Sequence, residues 1–315
     1  ELAINLEIET VTVAEEEPVS TEPTNNAGGL ILKEGDFGGL PENSEDLEEA
    51  LRALAGPSAG PNGGEILIDG VPRAMPPLSS IREIRINSNP FSAEYDRIGF
   101  GRIEVLTKPG SVSFHGQMQF GFNDESMNSR NPFTVRRADY QSRQYSGNLS
   151  GPVTKKSSFF FDFDRRSTDD LAVINATILD SNYNFTNFTD TIKRPSTRTS
   201  LSPRFDIQLN DTNTLSARYG YNRSGNENSG VGGFSLDSRA YSSSSTEHSF
   251  SLTETAVINK SVISETRFQY LSRSSKNFGG DSTSPTIQVF DAFTSGGNGV
   301  GASSSETQRF EISNS

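Results

Sequence analysis

From residue 112 onward the chain alternates apolar and polar positions with a period of two. Ser113-Phe114-His115-Gly116-Gln117-Met118-Gln119-Phe120-Gly121-Phe122 carries an apolar residue or glycine at every even position. Phe159, Phe161 and Phe163 alternate with Phe160, Asp162 and Asp164. Leu201, Pro203, Phe205, Ile207 and Leu209 alternate with Ser202, Arg204, Asp206 and Gln208. Leu215, Ala217, Tyr219 and Tyr221 do so on one segment, and Thr266, Phe268 and Tyr270 on another. Side chains in a strand point to opposite faces in turn, so each segment predicts a strand of about 9–13 residues with one apolar and one polar face.

The spacing between these strands adds direction. Short connections fall at Gly151–Ser157, Asn210–Asn213 and Asn259–Lys260; long ones fall at roughly 124–143, 167–196, 224–244 and 274–304. Short and long alternate strictly. An up-and-down barrel in an outer membrane has this property, with tight turns on one side and long loops on the other. A soluble sandwich also has alternating strands, but its loops need not sort by parity. Strands of about 9–11 residues cross a bilayer at a tilt. One residue resists the pattern: Glu254 falls in the apolar phase of His248–Ile258. On a lipid face it requires either a bulge that shifts the phase or a position near an interface.

Residues 65–111 read differently. Glu65-Ile66-Leu67-Ile68-Asp69-Gly70-Val71-Pro72 is a strand running into a turn, and Ile81–Ile86 and Gly101–Thr107 are alternating strands. Residues 1–64 are acidic and poor in structure signals, apart from a short helix over Asp46–Leu54 that Gly56-Pro57 ends. The stretch Glu15–Asn26 has the composition of a linker.

Composition removes whole classes of function. The 315 residues include no cysteine, so disulfide frameworks, thiolate metal sites and thiol nucleophiles are excluded. Two histidines, His115 and His248, cannot build a multi-histidine metal site within the chain. A net charge of −12 argues against nucleic acid as the main partner. The spacing of Asp162, Asp164, Asp169 and Asp170 suits lining of a lumen better than acid–base chemistry. Asp281 and Asp291 lack the spacing of a calcium loop. No catalytic residue, cofactor or metal is therefore expected.

The middle zone resembles the plug domain of TonB-dependent outer-membrane receptors. The elements that carry the resemblance are Ile66-Leu67-Ile68-Asp69-Gly70-Val71-Pro72, Ile81-Arg82-Glu83-Ile84-Arg85-Ile86, Ser92-Ala93-Glu94-Tyr95-Asp96 and Gly101-Arg102-Ile103-Glu104-Val105-Leu106-Thr107-Lys108-Pro109-Gly110, in the family's order and spacing. They look most like the Oar-like subgroup. Departures are Asn89-Pro90-Phe91 before the third element, Asp96 after Tyr95, and Phe100 between Gly99 and Gly101.

The resemblance implies a partner and a set of contacts. Glu9, Thr10, Val11, Thr12 and Val13 look like the TonB box, which would bind a TonB-like periplasmic energy-coupling protein by strand addition. The alternation of Leu2, Ile4, Leu6 and Ile8 supports another reading, the last strand of a preceding domain. Arg82, Glu83, Arg85, Arg102 and Glu104 would form ion pairs with wall residues such as Arg204, Asp206, Arg218, Glu265 and Arg267. The barrel would face outer-membrane lipid, and the long loops, rich in Ser, Asn and Gly, would contact an unknown polar ligand.

The fold class expected is mainly β: a small α+β plug domain followed by antiparallel transmembrane β-barrel strands. Residues 1–29 comprise the end of a preceding domain, the box-like segment and the acidic linker; 30–111 form the plug; 112–315 form the N-terminal part of the barrel. About eight strands are present, whereas a barrel that holds a plug has about 22. The barrel is therefore expected to be incomplete, the chain being a portion of a larger receptor. The function expected is plug-gated, energy-coupled uptake of a polar solute, with a non-transporting Oar-like adhesion or structural barrel as the alternative. A carbohydrate-binding β-protein fits less well, because the chain has no tryptophan for an aromatic platform.

Overall fold

A computed structural model describes residues 29–56, 65–70, 72–87, 102–127, 129, 139–281, 283–298 and 300–314. The Glu9–Val13 segment and the Ser92–Asp96 turn lie outside the described residues. The described chain forms a small mixed sheet with one helix, and a large antiparallel sheet.

The small unit contains β1 (Gly29–Lys33), α1 (Ser44–Ala55), β2 (Glu65–Ile68), β3 (Ile81–Asn87) and β4 (Arg102–Thr107). Its strand order is β1-β3-β4-β2, with β2 parallel to β4 and the other pairs antiparallel. The helix starts where the Asn43 side chain accepts the Glu45 N–H at 3.3 Å, with Glu45 and Asp46 in the first turn. It ends at Gly56, whose φ of 64° is left-handed. Leu47, Leu51 and Ala55 recur at i+4 and pack with Ile68, Ile84 and Val105 of the sheet. Leu47 and Leu51 are fully buried, and each such side chain contributes about 1.5–3 kcal/mol of burial. β1 is a departure from the expectation for residues 1–64. Its Gly29–Lys33 segment pairs along β3 in a zone read as poor in structure.

The large sheet contains β5 (His115–Asp124), β6 (Gln141–Thr154), β7 (Ser157–Leu179), β8 (Phe185–Leu201), β9 (Arg204–Gln208), β10 (Asn213–Ser229), β11 (Tyr241–Asn259) and β12 (Val262–Gly279). A separate two-stranded hairpin, β13 (Thr286–Val289) and β14 (Phe293–Gly296), precedes β15 (Ser303–Asn314). The order runs β15-β12-β11-β10-β8-β7-β6-β5, with β9 between β7 and β10. β8 and β9 are one strand of the wall interrupted at Ser202-Pro203. Proline supplies no N–H to the ladder, yet its carbonyl still accepts from Tyr219 N at 3.0 Å, and Ser202 N donates to the Asp162 carbonyl at 2.9 Å. The wall is therefore eight strands wide.

The alternation read from the sequence sets the two faces. Met118, Phe120, Leu149, Phe161, Phe205, Phe250 and Phe310 project outward and are exposed. Phe160, Asp162, Asp164 and Glu247 point to the other face and are buried. Glu254 keeps the outward phase. It pairs with Leu215 and Thr266, and the register shift in β11 comes only between Val257 and Asn259. It stands five residues from the end of β11 at Asn259, and no bulge lies between it and the apolar positions before it.

The long connections need correction. Residues 167–179 and 185–196, expected as loop, continue β7 and β8 in an unbroken ladder from Phe163↔Leu201 to Leu179↔Phe185. β10 runs to Ser229, β11 starts at Tyr241 and β12 runs to Gly279, so those loops also shrink. Asp169-Asp170 breaks the alternation, Leu171-Ala172-Val173-Ile174 is apolar at every position, and Thr186, Asn187, Thr189 and Asp190 are polar on both faces of β8, so the period-two signal is lost there. Beyond the apolar band a second small core forms from Ala172, Ile174, Ala176 and Val231. Two connections fold onto it: Asn175 N donates to Gly233 O at 2.8 Å, and Thr177 N to Ala292 O at 3.1 Å.

Candidate functional site: the contact between the small unit and the wall

The turn after β2 is the centre of the contact. Asp69 and Gly70 have positive φ, 53° and 79°, which the Asp-Gly pair tolerates. This geometry turns the Asp69 carboxylate back onto β4. Oδ1 accepts from Thr107 N at 2.9 Å, and Oδ2 accepts from Thr107 Oγ1 at 2.7 Å. Arg73 Nη2 donates to Oδ2 at 3.1 Å, and Arg218 of the wall approaches the same oxygen at 3.6 Å. Burial raises the Asp69 pKa, but Arg218, Arg73 and the Thr107 hydrogen bonds outweigh it and hold the carboxyl below its ordinary value of 3.8. Burial pulls the Arg73 guanidinium down against the opposing pull of Asp69 and Glu247. Gly70 lies so close to the wall that a Cβ there would stand 2.3 Å from Arg267 Nη1.

Further polar contacts join the two parts. Glu247 Oε1 accepts from Ala74 N at 3.0 Å, while its Oε2 accepts from Arg273 Nε at 2.9 Å. Arg198 pairs with Glu45 of α1 at 3.1 Å. Gln119 donates to Glu42 at 2.9 Å, and Gly110 N donates to Asp206 at 3.3 Å. These contacts are charged or polar, and the apolar cores on either side stay separate. A cavity of about 1030 Å³ lies between the parts at the short-turn end, lined by Asp69, Glu104, Lys156, Arg204, Arg218 and Arg267 among others.

The residues singled out in the small unit pair differently from the expectation. Arg85 pairs with Glu83, and Arg102 with Glu104 at 3.0 Å, each two positions along its own strand, rather than with the described wall. Arg82 is exposed and makes no ion pair among the described residues. The i,i+2 neighbour on a strand face is the nearest opposite charge, so it takes the pairing. On the wall, Arg204 pairs with Asp206 at 2.8 Å and Arg267 with Glu265, again along one strand, while Arg218 reaches Asp69. Asp69 lies in the motif quoted for the resemblance and could have been singled out there. Glu247, Glu45 and Arg198 carry no signal of their own beyond a charge in a strand or helix.

Other acidic groups fall into structural roles. Asp164 accepts from Gln144 at 3.1 Å on the inner face. Asp281 caps its own turn through Thr283 N and Ser284 N, which depresses its carboxyl pKa. Among the described residues no group of three His, Asp or Glu side chains is placed to hold a metal ion.

No protein-family model matches the sequence, and no curated protein matches it in sequence. Solved structures do match in shape. The siderophore receptor PirA of Acinetobacter baumannii superposes with a TM-score of 0.64 at 16% identity, over 93% of this chain and 45% of that one. The fold is that of a plugged outer-membrane receptor. A Q482A mutant of PfeA, the ferric enterobactin receptor of Pseudomonas aeruginosa, solved with enterobactin, gives 0.60 at 15%, over 92% and 46%. The outer membrane transporter YddB of Escherichia coli gives 0.56 at 12%, over 79% and 37%. The chain thus spans less than half the length of these receptors.

Proposed function

We propose that the chain is the plug and the first eight wall strands of a TonB-dependent outer-membrane receptor, placed in the outer membrane, that takes up a polar solute by plug-gated, energy-coupled transport. The observation that carries this reading is the contact itself: a plug held to its wall by Asp69–Arg218, Glu45–Arg198 and Glu247–Ala74. Glu45–Arg198 is solvent-exposed and individually weak, and water can take over each polar contact, the buried Asp69–Arg218 pair included, as the two parts separate. An apolar seam would resist in proportion to its area. Glu9–Val13 is the segment on which the coupling protein pulls, and the long-loop end is where solute binds. The sequence motifs of the plug favour the Oar-like branch.

The test is uptake by the full-length receptor in cells with and without the coupling protein. Accumulation of a bound solute that stops when the coupling protein is deleted, with surface binding retained, supports transport. Binding with no coupled accumulation of any solute supports the adhesion barrel instead.

A further inference from the structure

The inner face of the wall carries a polar cluster that the plug contact does not use. Asp162 and Asp164 stand two residues apart on β7 and so share that face. The register sets Ser200 of β8 directly opposite Asp164. On the other side, Asn148 and Ser146 of β6 stand opposite Asp162 and Asp164. Asp162 is fully buried, and neither of its carboxylate oxygens has a hydrogen-bond partner among the described residues. Ser200 is 2% exposed, and its hydroxyl has no partner there either. Asp164 is buried as well, with one oxygen accepting from Gln144.

The basic groups around the cluster are committed or remote. Lys108 of the small unit is the cation that acts on Asp162, but its ammonium is held by Glu34 at 2.8 Å. Arg166 shares the inner face two residues beyond Asp164, and so lies farther from Asp162. Arg198, opposite Arg166 in the ladder, is taken by Glu45. A buried carboxylate with no partner is costly to keep charged, so it takes up either a proton or a cation. A proton shared between the two carboxyls would leave the Ser200 hydroxyl unmatched, whereas a cation uses all three groups. A cavity of about 220 Å³ between the small unit and the wall reaches Asp164 and gives access to the cluster; Gln144, Ser146, Leu78 and Lys108 also line it.

The donor set selects the ion. Carboxylate and hydroxyl oxygens suit hard cations, and the cluster offers no imidazole or thiolate for a softer one. Two carboxylates balance a divalent charge. Calcium accepts irregular sets of oxygen ligands completed by water, whereas magnesium demands near-ideal octahedral geometry. We infer that Asp162, Asp164 and Ser200 form a calcium-binding site on the inner face of the wall, beneath the small unit. The site lies beside Ser202-Pro203, where the ladder loses a donor, and an ion held from both β7 and β8 would tie the two strands at that interruption. It is separate from the Asp69 contact and does not depend on whether the barrel transports or adheres.

The experiment uses the full-length receptor, extracted from outer membranes and stripped with EDTA. Isothermal titration calorimetry with calcium chloride, and in parallel with magnesium chloride, counts the ions bound by wild type, D162N and S200A. D162N should bind one calcium fewer than wild type, a difference that holds whatever other calcium sites the rest of the receptor carries. S200A keeps both carboxylates and should hold that ion roughly tenfold more weakly. Calcium should raise the thermal unfolding midpoint of wild type more than that of D162N. Equal calcium stoichiometry in wild type and D162N overturns the site. So does an infrared band of a protonated carboxyl that is present in calcium-treated wild type and absent in D162N, since Asp162 then carries a proton instead. Magnesium that binds as tightly as calcium overturns the choice of ion. If D162N fails to reach the outer membrane, S200A decides, and unchanged calcium affinity there overturns the site.

Discussion

Asp69 of the plug and Arg218 of the wall stand 3.6 Å apart, carboxylate oxygen to guanidinium nitrogen, with Arg73 on the same oxygen. One carboxylate thus ends a plug strand, braces its own turn and holds the wall. Removing the charge leaves two arginines, both more than four-fifths covered, facing each other. Breaking a buried pair by removing one partner costs on the order of 3 kcal/mol. Asp69→Asn should therefore loosen the plug by about that amount in chemical unfolding followed by hydrogen exchange in Arg102–Thr107. Retained wild-type protection there would show that the Thr107 hydrogen bonds, which asparagine can partly keep, carry the turn.

The same residue sets a pH dependence. Its folded pKa lies below the unfolded value, so the stabilisation is present above about pH 4, where the unfolded chain also ionises. It is lost as pH falls through the depressed folded pKa. Plug unfolding should be flat from pH 5 to 8 and weaken only in strong acid. Asp69→Asn should flatten the acid limb, leaving only the contribution of other carboxylates.

Gly70 should not accept a side chain. Its φ of 79° is strained for alanine, and the new Cβ would meet Arg267 at 2.3 Å. Gly70→Ala should destabilise plug seating by about 1–2 kcal/mol, part from the backbone and part from the clash. Combining it with Arg267→Ala should recover the second part, which a double-mutant cycle measures. Full additivity of the two changes would mean that Arg267 swings aside without cost.

Glu247 makes a prediction at a single amide. A hydrogen bond to a charged group contributes roughly 1.5–3 kcal/mol, so Glu247→Ala should speed hydrogen exchange at Ala74 by about tenfold or more. Amides in α1 should be unmoved. Uniform acceleration over the whole plug would instead mark Glu247 as a general support.

A proline at Val11 removes a backbone donor and fixes φ. In the full-length receptor Val11→Pro should abolish coupled uptake and leave solute binding intact, while Thr10→Ala should have little effect. Wild-type uptake by Val11→Pro would remove Glu9–Val13 from the coupling role and favour the trailing strand of a preceding domain.

Legibility in the sequence followed the environment. Phe159, Phe161 and Phe163 face outward while Asp162 and Asp164 face a polar interior, so period-two alternation exposed the wall and its phase. Past Phe163 the alternation fades at Asp169-Asp170, Leu171–Ile174 is apolar at every position with its inner side in the second small core, and the strands there read as loop. Gly29–Lys33 carries three consecutive apolar residues, Leu30-Ile31-Leu32, and is too short to show a period. The helix was legible because the early acids and the apolar spacing of Leu47, Leu51 and Leu54 signal locally and Gly56-Pro57 ends it, while the Asn43 cap that starts it was not read. The plug contact was legible in kind, charge facing charge, but not in detail. Any of five charges in β3 and β4 could be paired on paper, and the nearest partner proved to be two residues along the same strand. Asp69 needed the turn geometry to be seen as the residue that reaches across.

Under the transport role proposed above, the small core of Ala172, Ile174, Ala176 and Val231 has a consequence for how solute would be met. Because the 230–240 connection and the β13–β14 hairpin are fastened to the inner side of β7, the mouth on this half is a stiff collar rather than a fringe of free coils. A collar built before the solute arrives spends little ordering entropy on capture. It also fixes the width of the entrance, so that selection on this side begins with shape and only then with hydrogen bonding.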